Sequence, residues 1–168
     1  MILAFDIATV TGWAAGDHLA SRPVSGLISL KDGYGIGGKM DLLTRAIELK
    51  ITEFDPDLII FEQPWFSAGR GSAATMRLAI ALCATVELVA KWHDIRVLEV
   101  PISTWRKHFI GVGRAPKGES GKWCKEQARQ RCRSLGWGDF TDDQAEACGI
   151  WDYAQSLRKS RNDTNLSA

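Results

Sequence analysis

The sequence predicts a single α/β domain built on a mixed five-stranded sheet with helices on both faces. Three observations lead to this prediction. The chain has 168 residues, which suits one domain with one core. Its first 30 residues contain three short apolar segments joined by tight turns, a pattern that predicts antiparallel pairing. From residue 40 onward, helical periodicity alternates with short apolar runs, which is typical of parallel strands connected by helices.

The predicted strands are short apolar runs that end at polar or turn-forming residues. They cover residues 1–5, 11–16, 25–30, 58–61 and 95–100. The predicted helices have apolar residues three and four positions apart, and they cover residues 40–54, 72–94, 103–110, about 119–135 and about 141–159. We expect the domain to span residues 1–158 and to be followed by a polar tail over residues 159–168.

The net charge of +1 conceals an uneven distribution of charge along the chain. Because 21 Lys and Arg residues nearly balance 20 Asp and Glu residues, a strongly basic chromatin-type protein is excluded. Residues 105–133, however, carry nine basic and two acidic residues, a net charge of +7. This concentration predicts a surface for a polyanion, although a solvated helix face would have the same composition.

Cysteine usage and apolar run lengths predict a cytoplasmic protein with no membrane partner. The four cysteines form no C-x-x-C pair and no zinc-type spacing with histidine, so reduced thiols are the simplest interpretation. The N-terminus has no basic segment followed by an apolar one, as a signal peptide would. The longest apolar run, Leu78 to Val86, is shorter than the ~20 residues that span a bilayer.

Two carboxylates stand at the ends of predicted strands. Asp6 follows the first strand and Glu62 follows the fourth. If these strands are neighbours, the two side chains meet at the carboxyl edge of the sheet, where ligands of α/β proteins collect. The alternative is that each charge only marks the point where a strand reaches water.

Two further acidic residues open the last predicted helix. Asp143 and Glu146 are three positions apart and therefore share one helix face. Thr141 and Gln144 fit a capping box, and acidic residues also stabilise a helix N-terminus through the helix dipole. Capping explains Glu146 less well, because it lies deeper in the helix.

Four carboxylates from three separate segments predict a site for two Mg²⁺ ions. Mg²⁺ prefers oxygen ligands, and paired ions can activate a water and stabilise the leaving oxygen in phosphodiester cleavage. Without metal these carboxylates would repel one another, so we expect at least one of them to have a raised pKa or the site to be less stable.

Taken in order, these motifs resemble the RuvC-type Holliday junction resolvases of the RNase H-like superfamily. The resemblance extends over residues 1–155. It is carried by the strand ending in Asp6 with Thr11-Gly12-Trp13, the strand leading to Glu62-Gln63, Gly111-x-Gly113-Arg114-Ala115 followed by Lys125-Glu126-Gln127, and Asp143-x-x-Glu146-Ala147.

The resemblance implies an RNase H-like fold and a homodimeric, Mg²⁺-dependent endonuclease of DNA recombination and repair. Such an enzyme nicks four-way junctions or other branched DNA by a two-metal mechanism in a bacterial or phage-infected cell, with Mn²⁺ able to substitute. The implied metal ligands and catalytic acids are Asp6, Glu62, Asp143 and Glu146. Lys125 is the implied lysine at the scissile phosphate, with Lys117 and Lys122 as alternatives.

The resemblance also implies residues that contact DNA. Trp65, next to Phe66, is expected to stack on unpaired bases at the branch point, the alternative being a hydrophobic plug behind Pro64. The dimer interface is expected on the helix predicted over residues 72–94. The full expected DNA-binding set is Trp65, Phe66, Arg70, Arg106, Lys107, Arg114, Lys117, Lys122 and Lys125.

Three departures from the family pattern suggest a divergent branch of a phage type. The first motif reads Asp6-Ile7-Ala8 where the family has Asp-Pro-Gly, and Glu146 stands where Asp is usual. The segment Pro116 to Cys124 looks like an insertion.

Two other functions remain as alternatives. Gly33-x-x-x-x-Gly38-Lys39 has the spacing of a Walker A motif, which would indicate a P-loop NTPase. Met40, however, stands where Ser or Thr should ligate Mg²⁺, and we expect the glycines to form a flexible connection instead. A catalytically inactive RNase H-like module that only binds DNA is the second alternative, and the four acidic residues argue against it.

Overall fold

The fold is described from a computed structural model, which describes residues 1–64 and 72–165. Within these ranges the strands are β1 (Ile2–Asp6), β2 (Val10–Gly16), β3 (Val24–Ser29), β4 (Leu58–Glu62) and β5 (Arg96–Val100). The helices are α1 (Gly35–Phe54), α2 (Ala73–Trp92), α3 (Ile102–Ile110), α4 (Gly121–Ser134) and α5 (Asp142–Asn165).

The strands form one mixed sheet in the order β3-β2-β1-β4-β5. The first three strands pair antiparallel, and β1, β4 and β5 run parallel. The predicted mixed five-stranded sheet is therefore confirmed. β1 lies at its centre, and Ile2 to Phe5 are fully buried because helices cover both faces of the strand.

Alternating side chains of β1 contribute to two separate hydrophobic clusters, as the two-residue period of a strand requires. Ile2 and Ala4 pack with Trp105 and Trp151 of α3 and α5. Leu3 and Phe5 belong to the cluster on the other face, which α1 and α2 complete. The helices therefore lie on both faces of the sheet, as predicted.

The glycine-rich segment before residue 40 is not the flexible connection that its composition predicted. α1 begins at Gly35, so Gly35, Gly37 and Gly38 lie in its first turn, and Gly33 precedes the helix. Lys39 stabilises this start because its Nζ donates hydrogen bonds to the carbonyl oxygens of Leu30 at 2.8 Å and Gly33 at 3.0 Å. A lysine held in this way caps backbone carbonyls of its own turn, which argues against a phosphate-binding Walker A loop.

α2 is the most apolar helix of the described chain. Its most apolar 18-residue window has a mean hydropathy of 1.7, so by length and composition alone it could span a membrane, although the sequence predicted no such helix. Leu82, Val86 and Val89 pack in the domain core, yet only 33% of that window is buried. Met76, Ile80, Leu88 and Trp92 of the remaining surface of α2 are large apolar side chains that stay exposed.

Candidate active site

Asp6 and Glu62 lie side by side at the carboxyl edge of the sheet. β1 and β4 are parallel neighbours, and the preceding residues Phe5 and Phe61 are register partners. Both carboxylates are partly exposed, as expected for side chains that end a strand at the rim of the domain. The pairing therefore produces the convergence that the sequence predicted.

The N-terminal end of α5 brings two more carboxylates, Asp143 and Glu146, to the same edge. The predicted capping box is present: Gln144 N donates to Thr141 Oγ1 at 3.4 Å, and Thr141 N donates to Gln144 Oε1 at 3.2 Å. One carboxylate oxygen each from Asp6, Asp143 and Glu146 lie within 4.8 Å of one another. We call these three residues the carboxylate cluster.

Gly12 on β2 sets how closely α5 approaches the sheet. It is the register partner of Asp6, and a Cβ at this position would lie 1.9 Å from the carbonyl oxygen of Asp143. Only glycine allows this approach, since any side chain would force the helix away. The sequence motif Thr11-Gly12-Trp13 contained this signal, but the sequence alone did not assign the glycine its positioning role.

Glu62 lies beside the carboxylate cluster and is held by a residue that the sequence analysis missed. The indole Nε1 of Trp105, which is fully buried on α3, donates a hydrogen bond to Glu62 Oε2 at 2.7 Å. Glu62 is not part of the cluster, but the charge of Glu146 helps to raise its pKa. Trp105 and Glu62 are 43 positions apart, so no local pattern links them.

Asp6 and Glu62 each have a raised pKa, as the sequence predicted for at least one carboxylate of a metal-free site. Burial raises the pKa of Asp6 well above its ordinary value, and the charges of Glu146 and Glu62 add to the effect. Burial also raises the pKa of Glu62 to about 7, although its hydrogen bond from Trp105 acts in the opposite direction. The site therefore favours additional positive charge.

Two cations supply part of that charge. Lys125 Nζ lies 3.1 Å from Glu146 Oε2 and 3.4 Å from Asp143 Oδ1. Burial alone would lower the pKa of Lys125, but the charge and hydrogen bond of Glu146, together with the charges of Asp6 and Asp143, raise it overall. Arg106, predicted only as a DNA-binding residue, pairs through Nη2 with Glu146 Oε1. Of the three candidate lysines, Lys125 is the one at the carboxylates, whereas Lys117 and Lys122 are exposed on the surface.

The basic stretch of residues 105–133 divides into paired and exposed cations. Arg133 Nε donates to Asp139 Oδ1 at 2.9 Å, and Arg129 lies 3.7 Å from the same carboxylate. These arginines hold α4 to the segment that leads into α5. Four of the predicted DNA-binding residues are exposed, namely Lys107, Arg114, Lys117 and Lys122. Fewer positive charges are therefore free to contact a polyanion than the net charge of +7 indicates.

A cavity of about 510 Å³ opens beside Arg106. Its walls include Pro64, Ile102, Arg106 and Arg114, so apolar surface and cations face the same space. Three further residues of the predicted DNA-binding set, Trp65, Phe66 and Arg70, lie outside the described residues.

The fold is similar to that of several solved resolvase structures. Thermus thermophilus RuvC superposes with a TM-score of 0.72 at 15% identity, over 95% of this chain and 96% of that chain. T. thermophilus RuvC in complex with Holliday junction substrate gives a TM-score of 0.72 at 14% identity, over 95% of both chains. The yeast mitochondrial Holliday junction resolvase Ydc2 gives 0.59 at 12% identity, over 99% of this chain and 84% of that chain.

The amino-acid sequence by itself matches no protein-family model and no curated protein. The likeness therefore lies in the three-dimensional arrangement, and it extends over nearly all of the chain. Together with the motifs at Asp6, Glu62 and Asp143, it shows that this chain has the RNase H-like fold of the RuvC-type Holliday junction resolvases.

Proposed function

We propose that this protein is a metal-dependent endonuclease that nicks four-way junctions and other branched DNA. The observation that carries the proposal is the carboxylate cluster, in which Asp6, Asp143 and Glu146 converge within 4.8 Å at the carboxyl edge of the sheet. Oxygen ligands from separate elements are what a hard cation such as Mg²⁺ requires. The structural similarity to RuvC, which has been solved with a Holliday junction substrate, supports branched DNA as the substrate.

The residues present fit a divalent metal site. The cluster offers only carboxylate oxygens, Glu62 lies next to it, and burial raises the pKa of both Asp6 and Glu62. We infer that Asp6, Glu62, Asp143 and Glu146 hold two Mg²⁺ ions, for which Mn²⁺ can substitute. When bound, such ions lower the pKa of a water and stabilise the leaving oxygen of a phosphodiester.

Arg106 and Lys125 are assigned to the scissile phosphate. Both reach the carboxylate cluster, and the side chain of Arg106 is only 12% exposed. Within the described residues, Arg106 Nε is buried without a hydrogen-bond partner, which leaves an unsatisfied donor next to the carboxylate cluster. A guanidinium can bind two phosphate oxygens at once, whereas the lysine ammonium acts as a point charge.

The function is tested with three synthetic DNA substrates: a four-way junction, a flap and a linear duplex. In Mg²⁺ or Mn²⁺ we expect paired nicks on opposite strands of the junction, little cleavage of the linear duplex, and none of any substrate in EDTA. Failure to cut any branched substrate would contradict the proposal. Junction binding without cleavage would favour the inactive DNA-binding module, and ATP turnover that depends on Lys39 would favour the P-loop NTPase.

A homodimer is the second part of the proposal, and the exposed side of α2 supports it. Met76, Ile80, Leu88 and Trp92 are 40, 50, 49 and 60% exposed, and their separations of four or eight residues place them along one side of the helix. We call this face the α2 stripe. Contiguous apolar surface of this kind marks protein–protein contacts. A second copy of the chain would pair the same face with itself about a two-fold axis.

The α2 stripe predicts the effect of a double substitution. We expect Ile80→Asp with Leu88→Asp to convert a dimer into a monomer, because two carboxylates from each copy would be buried in a symmetric contact. Light scattering coupled to size exclusion measures the mass directly. Leu19→Asp, at a 76% exposed position in the β2–β3 turn, is the matched control and should leave the mass unchanged. A monomeric wild-type protein, or a double variant that remains dimeric, would refute this interface.

A further inference from the structure

Tyr34 is an exposed aromatic residue on a well-fixed turn. It precedes α1 directly and is 98% exposed. Its carbonyl oxygen accepts from Gly38 N at 3.1 Å, and Gly33 N donates to the Leu30 oxygen at 3.2 Å. Lys39 Nζ adds the two hydrogen bonds described above, to Leu30 and Gly33. The backbone around Tyr34 is thus held on both sides while its ring remains in solvent, although aromatic rings usually bury most of their surface.

The strand topology places this turn at the same edge of the sheet as the carboxylate cluster. β3 runs parallel to β1, because both are antiparallel to β2. Leu30 N donates to the carbonyl oxygen of Thr9 at 2.8 Å, and Thr9 lies in the loop that follows Asp6. β3 is two strands from β1, which is about 10 Å at ordinary strand spacing. Tyr34 therefore stands on the side of Asp6 that faces away from β4.

The residues next to Tyr34 keep the ring accessible. Gly35 has a φ of +63°, so this conformation is strained for other residues, and no atom lies within 4 Å of the Cβ position there or at Gly37. Lys31 and Asp32 in the same turn are exposed and charged. A lone ring among charged residues and glycines does not form the apolar patch that a protein partner would need. An exposed ring with charged neighbours does suit a ligand that combines flat aromatic groups with a charged backbone.

We propose that Tyr34 is a stacking platform for an unpaired nucleobase of the branched DNA substrate. The inference rests on the proposed function for its substrate and extends it to a second DNA contact, on the β3 side of the site. A tyrosine ring stacks on any base because every base has a π face. The carboxylates stand at the same edge of the sheet, so a DNA strand whose phosphate is at Asp6 can reach Tyr34 within a few nucleotides.

The test compares Tyr34→Ala with Tyr34→Phe on a junction that carries 2-aminopurine at the branch point. Binding is measured in EDTA, so that cleavage does not interfere. We expect Tyr34→Ala to weaken binding about tenfold, or about 1.4 kcal/mol, and to reduce quenching of the 2-aminopurine fluorescence. Tyr34→Phe keeps the ring and should behave as the wild type. Leu19→Ala, at the opposite end of the sheet, is the control for loss of an exposed apolar side chain.

The outcomes separate this inference from the proposed function. If the wild type cleaves junctions but Tyr34→Ala binds and quenches normally, the stacking platform is refuted alone. Equal losses in Tyr34→Ala and Tyr34→Phe would also refute stacking, since they would point to the hydroxyl group. If the wild type cleaves no branched DNA, the same variants are compared on a single-stranded 2-aminopurine oligonucleotide. A loss confined to Tyr34→Ala then supports stacking, and its absence refutes it.

Discussion

Replacement of Glu146 by glutamine is expected to abolish cleavage of branched DNA and to leave junction binding nearly intact. Glu146 is 3% exposed and contributes an oxygen to the carboxylate cluster, which it shares with Asp6 and Asp143. An amide has the same shape but no charge, so it would hold a divalent ion poorly. Metal ions supply several kcal/mol of stabilisation in phosphoryl chemistry, and each 1.36 kcal/mol is a factor of ten in rate. We therefore expect a loss of at least a hundredfold, and the same for Asp6→Asn.

The measurement is a single-turnover cleavage rate in Mg²⁺, together with junction affinity in EDTA. Asp152→Asn is the matched control, because Asp152 lies on the same helix but pairs with His108 at 2.8 Å, away from the cluster. It should keep near-normal cleavage. If both Glu146→Gln and Asp6→Asn lost junction binding as strongly as cleavage, these residues would be structural. If both retained more than a tenth of the rate, the cluster would not be the metal site.

The second large effect concerns stability without metal. Burial raises the pKa of Glu62 from 4.5 to about 7, so the folded protein binds a proton there that the unfolded chain releases at lower pH. Stability from this group therefore falls as pH rises from about 4.5 to about 7, and the loss is complete above that range. We expect Glu62→Gln to remove this penalty and to stabilise the metal-free protein at pH 8 by on the order of 2 kcal/mol.

Urea unfolding in EDTA at pH 5 and pH 8 measures this effect. From pH 5 to pH 8, the free energy of unfolding should fall more in the wild type than in Glu62→Gln. Mg²⁺ should then restore stability at pH 8 in the wild type more than in the variant. Glu53→Gln is a surface control on α1, where the carboxylate pairs with Lys50 one turn away. An identical pH dependence for the wild type and Glu62→Gln would show that burial of Glu62 carries no such cost.

Much of the fold and the convergence of the acidic residues could be predicted, because both follow from short-range periodicity. Apolar runs that end at Asp6 and Glu62 define strand ends, and parallel neighbouring strands bring such ends together. The three-residue spacing of Asp143 and Glu146 defines a helix face in the same way. These patterns involve residues close in sequence, so they can be seen without a structure.

The features that could not be predicted depend on contacts between distant segments. Nothing in the sequence near Trp105 indicates that its indole binds Glu62, and nothing near Arg129 indicates that Asp139 neutralises part of the basic stretch. The start of α1 was also missed, because glycine has a low helix propensity. Lys39 offsets the low helix propensity of the glycines through hydrogen bonds to the carbonyl oxygens of Leu30 and Gly33. These contacts form only in the folded turn, so the sequence does not show them.

The contact between Gly12 and the first turn of α5 links the positions of Asp143 and Glu146, because both residues lie on that helix. Any shift of α5 would move Asp143 and Glu146 together. The backbone of α5 at Asp143 packs directly against β2 at Gly12. A methyl group at position 12 would push α5 away from the sheet, and this shift would move both Asp143 and Glu146 away from Asp6. For anyone who engineers this chain, position 12 is therefore a way to disable the site while every acidic side chain stays in the sequence.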